Sequence, residues 1–277
     1  MKDTKILFLL VNYYNEREVN SFISHQRINY SDVSLQIIIV DNGSHKPQTL
    51  LGLTSNNPNI TVLTNDTNSG YFGGAYIGLK HYLKTNDYPD AVVICNTDIS
   101  FVTPNFIVKL THKIAQGNFD ILGPDIYSTM LEYHQNPYIT TRISAKRIKL
   151  YKMVTSNAFI YALFTLLHLL KTKFVKTKRT NKIKERMQTY CIHGSFMVFN
   201  KTYFTKGGTI NYPSLLFGEE LFVAETALKL GLTTIYEPDL VINHHEHSTT
   251  GVFKSSKTVK FMHQSYKYLH ETFFSNE

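Results

Sequence analysis

The clearest chemical signal in the sequence is an aspartate that directly follows a short apolar run. Residues 91–95 read Ala-Val-Val-Ile-Cys, and Asn96, Thr97 and Asp98 come next. A run of this kind is typical of a strand buried on both faces. Ligands of open α/β sheets bind beyond the carboxyl ends of such strands, and oxygen ligands there suit Mg2+ or Mn2+. We therefore expect Asp98 to hold a cation that bridges to a diphosphate; the alternative is that Asp98 caps the next turn.

Two further groups have the chemistry of an acid–base or metal site. Glu219 and Glu220 follow Gly218 at the start of a helical pattern, where one carboxylate could act as a general base. The helix dipole alone also favours carboxylates at this position, so a purely structural role stays open. His244, His245 and His247 are the densest histidine cluster of the chain, which makes a metal role for them a second hypothesis.

Polar and glycine-rich loops follow two of the other apolar runs. Asp41 ends the run at residues 35–40 and precedes Asn-Gly, which fits either a ligand loop or an ordinary turn. Glycines at positions 70, 73, 74 and 78 open a helical pattern after the run at residues 59–64. Glycine lets a backbone approach a phosphate closely, but the spacing is neither GxGxxG nor a P-loop. Packing of this helix on the sheet is the alternative role of these glycines.

The order of the apolar patterns predicts the elements that must position these residues. Apolar runs predict strands at 5–12, 35–40, 59–64, 91–95 and 119–124, further strand-like character at 191–199, and short strands at 233–236 and 240–242. Helical spacing follows the first, third and fourth of these runs, and we infer that strand and helix alternate through residue 125. This alternation predicts an α/β fold with a parallel, doubly wound sheet. A last helical pattern, from Val259 to Phe273, predicts a helix that docks on the domain or forms a dimer surface.

Length and composition indicate one large globular domain. The chain has 277 residues, of which 43% are hydrophobic and 18% charged. Its two cysteines, Cys95 and Cys191, match no disulfide framework or zinc pattern, which favours reduced thiols in the cytoplasm. We expect no signal peptide and no membrane span, because no apolar run is long enough.

The positive charge is concentrated in one segment. Residues 142–190 contain thirteen Lys or Arg and a single acidic residue, so their net charge is +12, whereas the rest of the chain has −4. Within this segment, residues 157–170 are largely apolar. A basic-flanked apolar segment too short to span a bilayer suits a helix in the interface of an anionic membrane. A buried helical hairpin with a solvated basic face is the alternative, and we expect no nucleic acid because the charge is confined to one insert.

The ordered set of motifs resembles the family 2 inverting glycosyltransferases of the GT-A fold, from about Lys5 to Gly251. The nearest resemblance is to bacterial enzymes that build O-antigen and capsule repeats, including rhamnosyl-, galactosyl- and galactofuranosyltransferases. The motifs that carry it are Asn12-Tyr13-Tyr14-Asn15, Asp41-Asn42-Gly43-Ser44, Asn68 to Gly74, Asn96-Thr97-Asp98, Gly194 to Met197, Phe217 to Glu220, and His244-His245.

The resemblance implies a domain organisation and a reaction. The fold would be a Rossmann-like, mostly parallel sheet flanked by helices, with residues 1–251 as the catalytic domain, 126–190 as a basic helical insert and 252–277 as a C-terminal helix. The enzyme would move a sugar from a UDP- or dTDP-sugar to a glycan hydroxyl in bacterial surface polysaccharide synthesis. The acceptor would be linked to a polyprenyl diphosphate, and the enzyme would lie at the inner face of the cell membrane.

The resemblance also implies roles for individual residues. Asp98 would bind Mg2+ or Mn2+, with His244 touching the metal or the diphosphate. Glu220, beside Glu219, would deprotonate the acceptor hydroxyl, and Asp41 would contact the nucleobase or ribose. The nucleotide-sugar would be bound by Asn12, Tyr13, Asn15, Asp41, Asn68, Gly70, Gly74, Asn96, Gly194 and Ser195. Because Asn96 replaces the first Asp of the family's DxD motif, we expect the metal to arrive with the donor.

Two competing functions are considered. A nucleotidyltransferase would need a basic, glycine-rich loop after the first strand, and residues 12–16 do not provide one. A non-catalytic nucleotide-sugar-binding protein or membrane scaffold stays open, because Asn96 and Glu220 both stand where the family most often has Asp.

Overall fold

The computed structural model describes residues 4–25, 34–44, 48–173, 182–246, 254–275 and 277. Several sequence-based expectations fall outside these residues: His247, the basic residues Lys176, Lys178 and Arg179, and the predicted domain boundary at residue 251. The elements in chain order are β1 (Lys5–Asn12), α1 (Glu16–His25), β2 (Ser34–Asn42), α2 (Gln48–Asn56), β3 (Ile60–Asn65), α3 (Tyr71–Tyr82), β4 (Ala91–Cys95), β5 (Ile99–Phe101), α4 (Phe106–Gln116), β6 (Ile121–Ser128), β7 (Tyr133–His134), α5 (Ala145–Val154), α6 (Ala158–Lys173), β8 (Met187–Gln188), β9 (Phe196–Asn200), α7 (Lys201–Thr205), α8 (Glu219–Lys229), β10 (Thr234–His244) and α9 (Ser256–Phe273).

The strands form a single mixed sheet among the described residues. Its order is β3-β2-β1-β4-β9-β6-β10-β5, with β7 paired to β6 and β8 to β10. β1, β2, β3 and β4 are mutually parallel, as are β6 and β10, whereas β9 runs antiparallel between β4 and β6. The predicted α/β class with a mostly parallel sheet is therefore confirmed.

Alternation along each strand explains how the sheet is buried on both faces. In β1, Ile6, Phe8 and Leu10 belong to one core cluster, and Leu7 and Leu9 belong to the cluster on the other face. Successive side chains of a strand point to opposite faces, so an uninterrupted apolar run is what a doubly covered strand requires. The helices supply the cover, with Phe106 and Leu110 of α4 in the first cluster and Phe72 and Leu79 of α3 in the second.

The chain reverses its direction of travel across the sheet at β1. From β1 it continues outward to β2 and β3, and it then returns so that β4 pairs with the other edge of β1. Ligands of doubly wound sheets bind at such a switch point, beyond the carboxyl ends of the strands. The residues that follow β1, β2 and β4, which the sequence marked as chemically interesting, all leave the sheet at this edge.

One detail of the helices differs from the sequence prediction, and two agree with it. We expected Thr103 and Pro104 to begin the helix that became α4, but its N-cap is Asn105, in the left-handed conformation. Gly117 ends α4 as expected, with a φ of +68°. The C-terminal helix α9 docks on the domain, with Val259 and Leu269 buried and with contacts to α5, α6 and α8.

The basic insert contains two helices, α5 and α6, joined at a sharp bend. No single helix among the described residues is long and apolar enough to cross a membrane, although α5 and the first part of α6 pass that test together as a pair bent by 119°. α6 keeps large apolar side chains in solvent, with Phe159 77% exposed and Leu167 58% exposed. The described part of α6 therefore does not match the alternative of a buried hairpin.

Candidate functional site

Strand pairing brings Asp98 and His244 together. β10 pairs antiparallel with β5 so that His244 lies opposite Ile99, and the backbone N–H of His245 donates to the carbonyl of Asp98 at 2.8 Å. The side chains then meet, with 3.4 Å between Nε2 of His244 and Oδ1 of Asp98. This Oδ1 is buried and accepts no hydrogen bond from the described residues. A buried carboxylate oxygen without a donor is a candidate metal ligand, and a neutral imidazole nitrogen beside it is another.

The other histidines of the cluster do not join this pair. The exposed His245 bonds through Nε2 to the Ser100 hydroxyl at 2.8 Å, and His247 is not among the described residues. Within the described ranges, no group of three or more His, Cys, Asp or Glu side chains is arranged to hold a metal. The protein thus offers two adjacent ligands at this place, and further ligands would have to come from a bound molecule.

The Glu219–Glu220 pair begins α8, at a turn that the C-terminal helix α9 holds by a hydrogen bond. Gly218 is the N-cap, with a φ of +84° and no side-chain cap, and the carbonyl of Phe217 accepts hydrogen bonds from Tyr212 and Ser265 at 3.0 and 2.7 Å. Burial raises the pKa of both carboxyl groups, and for Glu219 the neighbouring charge of Glu220 adds to the rise. A raised carboxyl pKa, close to the working pH, suits a general base.

Gly194 lies against the Glu220 carboxylate. A β-carbon at Gly194 would come within 2.8 Å of Oε1 of Glu220, so only glycine leaves that oxygen its place. The hydroxyl of Tyr71 donates to the carbonyl of Gly194 at 3.3 Å. Burial raises the pKa of Tyr71, and the negative charges of Asp98 and the glutamate pair add to the rise. Tyr71 therefore lies between the Asp98 side and the glutamate side of the site.

His193 connects the same two sides. Its ring centre is 5.7 Å from that of His244, and its Nδ1 accepts from the backbone N–H of Ser195 at 3.2 Å. Burial lowers the pKa of His193 to about 3, so the ring is neutral. The backbone N–H of Asn96 donates to the carbonyl of Ser195 at 2.9 Å, which ties this segment to the end of β4.

The ends of β1 and β2 place Asn12, Asp41 and two exposed residues at the switch point. Asn12 and Asp41 are register partners, and the Asn12 amide donates to Oδ1 of Asp41 at 2.9 Å. Ser44 donates to the same oxygen, and both Asn12 and Asp41 are buried. Tyr13 and Asn15 are exposed next to them, and Asn68 is exposed in the loop after β3, so these predicted binding side chains are open to a ligand.

An asparagine network organises the glycine-rich loop. The Asn42 amide donates to Oδ1 of Asn68 at 3.1 Å and to the carbonyl of Gly70 at 2.9 Å, and Asn68 in turn accepts from the backbone N–H of Gly70. A β-carbon at Gly74 would lie 2.8 Å from the side chain of Val11. Helix-on-sheet packing, the alternative we considered, therefore accounts for Gly74, whereas Asn68 and Gly70 shape the loop above it.

Sequence reasoning missed several residues of this site. Asn42 and Tyr71 lie inside quoted motifs but were given no role, and His193 carries no motif by itself. Gln135 bonds to His244 from a segment more than 100 residues away. The one available signal was position, since Asn42 adjoins Asp41, which was selected at a strand end, and His193 adjoins Gly194, which belongs to a quoted motif.

Comparisons with known proteins identify the family and the fold. The model of glycosyl transferase family 2 matches residues 11–208. A search of curated proteins gave no match. A crystal structure of GalNAc-T7 with UDP, GalNAc and Mn2+ superposes with a TM-score of 0.61 at 11% identity, covering 98% of this chain and 49% of the other. The chain thus spans about half the length of that protein, and the likeness establishes the GT-A fold.

Proposed function

This chain belongs to glycosyl transferase family 2, and we propose that it moves a sugar, with inversion, from a UDP- or dTDP-sugar to a hydroxyl group of a glycan acceptor. The single observation that carries the proposal is that two adjacent residues connect the Asp98–His244 pair with the Glu219–Glu220 pair. The ring centre of His193 lies 5.7 Å from that of His244, and a β-carbon at Gly194 would lie 2.8 Å from Oε1 of Glu220. The first group has the chemistry to bind a leaving diphosphate through a cation, and the second has the chemistry to accept a proton. Sugar transfer to a hydroxyl needs both on one site.

The residues of this site fit a divalent cation. The unpartnered Oδ1 of Asp98 and Nε2 of His244 would hold it, and the donor diphosphate would complete its ligands. When bound, Mg2+ or Mn2+ would neutralise charge on the leaving diphosphate as a Lewis acid. The GT-A structure compared above was solved with UDP and Mn2+, which supports the same class of cofactor here.

The proton of the acceptor hydroxyl goes to Glu220 in this proposal. As the hydroxyl oxygen forms its bond to the anomeric carbon, the bond to the diphosphate breaks on the opposite face, and the Glu220 carboxylate takes the proton. Gly194 leaves space for that carboxylate, while burial and the charge of Glu220 raise the pKa of the neighbouring Glu219 to about 8. Tyr13 and Asn15 would contact the nucleotide at the switch point, with Asp41 and Asn12 holding the strand ends beneath it.

Transfer assays with variants at both groups test this proposal. A panel of nucleotide-sugars with Mn2+ is scored for donor hydrolysis and for transfer, with Asp98→Ala and Glu220→Gln as site variants and the exposed Asp87→Ala and Glu185→Gln as matched controls. We expect both site variants to lose transfer and both controls to keep it. Full transfer by the site variants would refute the assignment, and donor binding without turnover by the wild type would favour the non-catalytic alternative.

The exposed face of α6 supports a peripheral membrane location and a lipid-linked acceptor. Its exposed apolar side chains recur at helical spacing on one side of the helix: Phe159, Ile160, Leu163, Leu166, Leu167 and Leu170. The adjoining α5 presents Lys146 and Lys149 to solvent. An apolar helix face bordered by exposed lysines matches an anionic bilayer surface, where a polyprenyl-diphosphate-linked glycan would reside.

Vesicle co-sedimentation tests the membrane proposal separately. We expect the wild type to bind anionic vesicles and to be released by salt, because part of the attraction is electrostatic. Phe159→Ser with Leu167→Ser should weaken binding, whereas Leu51→Ser with Leu131→Ser, at exposed sites on other elements, should not. Equal binding by the two double variants would refute a role for α6.

A further inference from the structure

The pair of Asp98 and His244 is backed by a chain of hydrogen bonds that the family motifs do not contain. His244 Nδ1 lies 2.9 Å from Oε1 of Gln135, and Nε2 of Gln135 donates to Oε1 of Glu246 at 3.0 Å. The other oxygen of Glu246 accepts from the hydroxyl of Ser128, which itself accepts from the backbone N–H of Leu131. Gln135 and Ser128 are buried, so these partners are not exchanged for water.

The direction of each bond in this chain is determined by chemistry. A carboxylate only accepts, so the amide nitrogen of Gln135 must face Glu246 and its oxygen must face His244. An amide oxygen also only accepts, so Nδ1 of His244 must carry the hydrogen. In the neutral ring, Nε2 is then left with its lone pair.

A second contact agrees with this tautomer. The amide nitrogen of Asn96, which can only donate, lies 3.4 Å from Nε2 of His244. The lone pair of Nε2 also lies beside Oδ1 of Asp98, at 3.4 Å. Two lone-pair atoms at this separation, one of them a buried oxygen without a hydrogen bond, form a pair of ligands ready for a cation.

We propose that Gln135 is a positioning residue that, oriented by Glu246, holds His244 in the Nδ1–H tautomer and so directs the Nε2 lone pair toward the ligand position beside Asp98. This inference rests on the proposed function for the identity of the bound group, a divalent cation that accompanies the nucleotide. The tautomer itself is a property of the metal-free protein. Hydrogen-bond partners of ligating histidines commonly change metal affinity by roughly ten- to a hundredfold.

The first experiment measures the tautomer without any metal. Protein labelled with 15N-histidine is studied by long-range proton–nitrogen correlation, and the His244 signals are assigned by their loss in His244→Asn. We expect the wild type to show a protonated, pyrrole-type Nδ1 and a pyridine-type Nε2. A protonated Nε2 in the neutral ring of the wild type would overturn the proposal without the use of any Gln135 variant.

The second experiment changes the residues that fix the tautomer. Gln135→Leu keeps the volume of the side chain but removes the acceptor, so we expect the two His244 nitrogens to show mixed tautomers. Mn2+ affinity in the presence of UDP, measured from the electron paramagnetic resonance of free Mn2+, should fall by roughly ten- to a hundredfold. Gln116→Leu, an exposed glutamine at the end of α4, is the matched control and should change neither readout.

A swapped double variant distinguishes positioning from general packing. In Gln135→Glu combined with Glu246→Gln, the new carboxylate accepts from Nδ1 and the new amide donates to it and accepts from Ser128, so every bond to His244 and Ser128 keeps its direction. We expect this double variant to restore the wild-type tautomer and most of the Mn2+ affinity. Wild-type nitrogen signals and affinity in Gln135→Leu, or no rescue by a folded swapped variant, would overturn the proposal. If the wild type bound no Mn2+ with UDP, the metal in the proposed function would fail, and the nitrogen spectra would still decide the role of Gln135.

Discussion

Gly70 is the position where a single methyl group should disturb both the fold and the site. It is the N-cap of α3, with φ of +81° and ψ of 174°, a region of backbone conformation open almost only to glycine. A β-carbon there would lie 2.5 Å from the carbonyl oxygen of Leu215 and 2.7 Å from its Cα. Both of these are backbone atoms, so the overlap cannot be relieved by turning a side chain. Leu215 leads into the turn before Glu219, and a shift there reaches the proposed base.

Gly70→Ala should destabilise the fold through backbone strain and through steric overlap, and substitutions at two other glycines separate these two contributions. Gly117 also has a positive φ, +68°, but no atom lies within 4 Å of the position that a β-carbon would take, so Gly117→Ala should cost about 1–2 kcal/mol of backbone strain alone. Gly70→Ala adds overlap to strain, and together these should cost roughly 2–6 kcal/mol. Gly52 lies within α2, and no atom lies within 4 Å of the position that its β-carbon would take. Gly52→Ala should therefore raise the free energy of unfolding by about 0.5–1 kcal/mol.

Urea denaturation of the three alanine variants, fitted with a common slope, gives these differences directly. We expect the order of stability to be Gly52→Ala above wild type, then Gly117→Ala, then Gly70→Ala. A loss of about 4 kcal/mol would lower the melting temperature by roughly 10 °C in a protein of this size. The reasoning is refuted if Gly70→Ala is as stable as Gly117→Ala, because the contact with Leu215 would then carry no cost.

Three further substitutions test the electrostatics of the site and its support. Burial raises the pKa of Glu220, so between the unfolded and the native pKa the native state keeps a proton that the unfolded chain releases. The stability of the wild type therefore falls as the pH rises through that interval. Glu220→Gln should remove transfer, and it should raise the melting temperature more at about pH 8 than at about pH 4. Gly194→Ala should lower kcat by roughly ten- to a hundredfold with little change in melting temperature, because only the end of the Glu220 side chain must move. Glu225→Gln should lower the free energy of unfolding, measured in urea, by about 1–2 kcal/mol. The buried Glu225 accepts hydrogen bonds from Arg142, at 2.6 and 2.9 Å, and from Tyr190. The loss stays modest because the Arg142 guanidinium is partly exposed and is screened by water.

The sequence was sufficient to predict the strands of the parallel half and most of its helices, with α2 as the helix that was missed. Residues 5–12, 35–40 and 91–95 are apolar almost without interruption because both faces of the sheet are covered there, and that composition is visible in any local window. The position of β9 had no such signal. Its residues look like those of any buried strand, and its antiparallel place between β4 and β6 results from the long insert before it. Strand order depends on contacts far apart in sequence, which local patterns do not contain.

The site divides in the same way. Asp98, Asp41 and Asn12 could be selected because strand ends converge in an α/β sheet, and Glu219 and Glu220 because a helix start places two carboxylates side by side. Gln135 and His193 could not be selected, since each acts through a partner brought close only by the completed sheet. The position of a residue along the chain can thus predict that it contacts a ligand. The residues that orient it can be identified only from the three-dimensional structure.

The start of α8 shows why burial decides the behaviour of the glutamate pair. A helix N-terminus favours negative charge and by itself would lower the pKa of both carboxyl groups. Their pKa values are nevertheless raised, because burial outweighs the dipole, and for Glu219 the charge of Glu220 adds to the rise. The turn that buries them is held by Tyr212 and by Ser265 of α9, so the C-terminal helix supports the proton affinity of a pair more than forty residues before it. A loss of α9 docking would let water reach the pair, lower its pKa and weaken it as a base near neutral pH, even with both carboxylates intact.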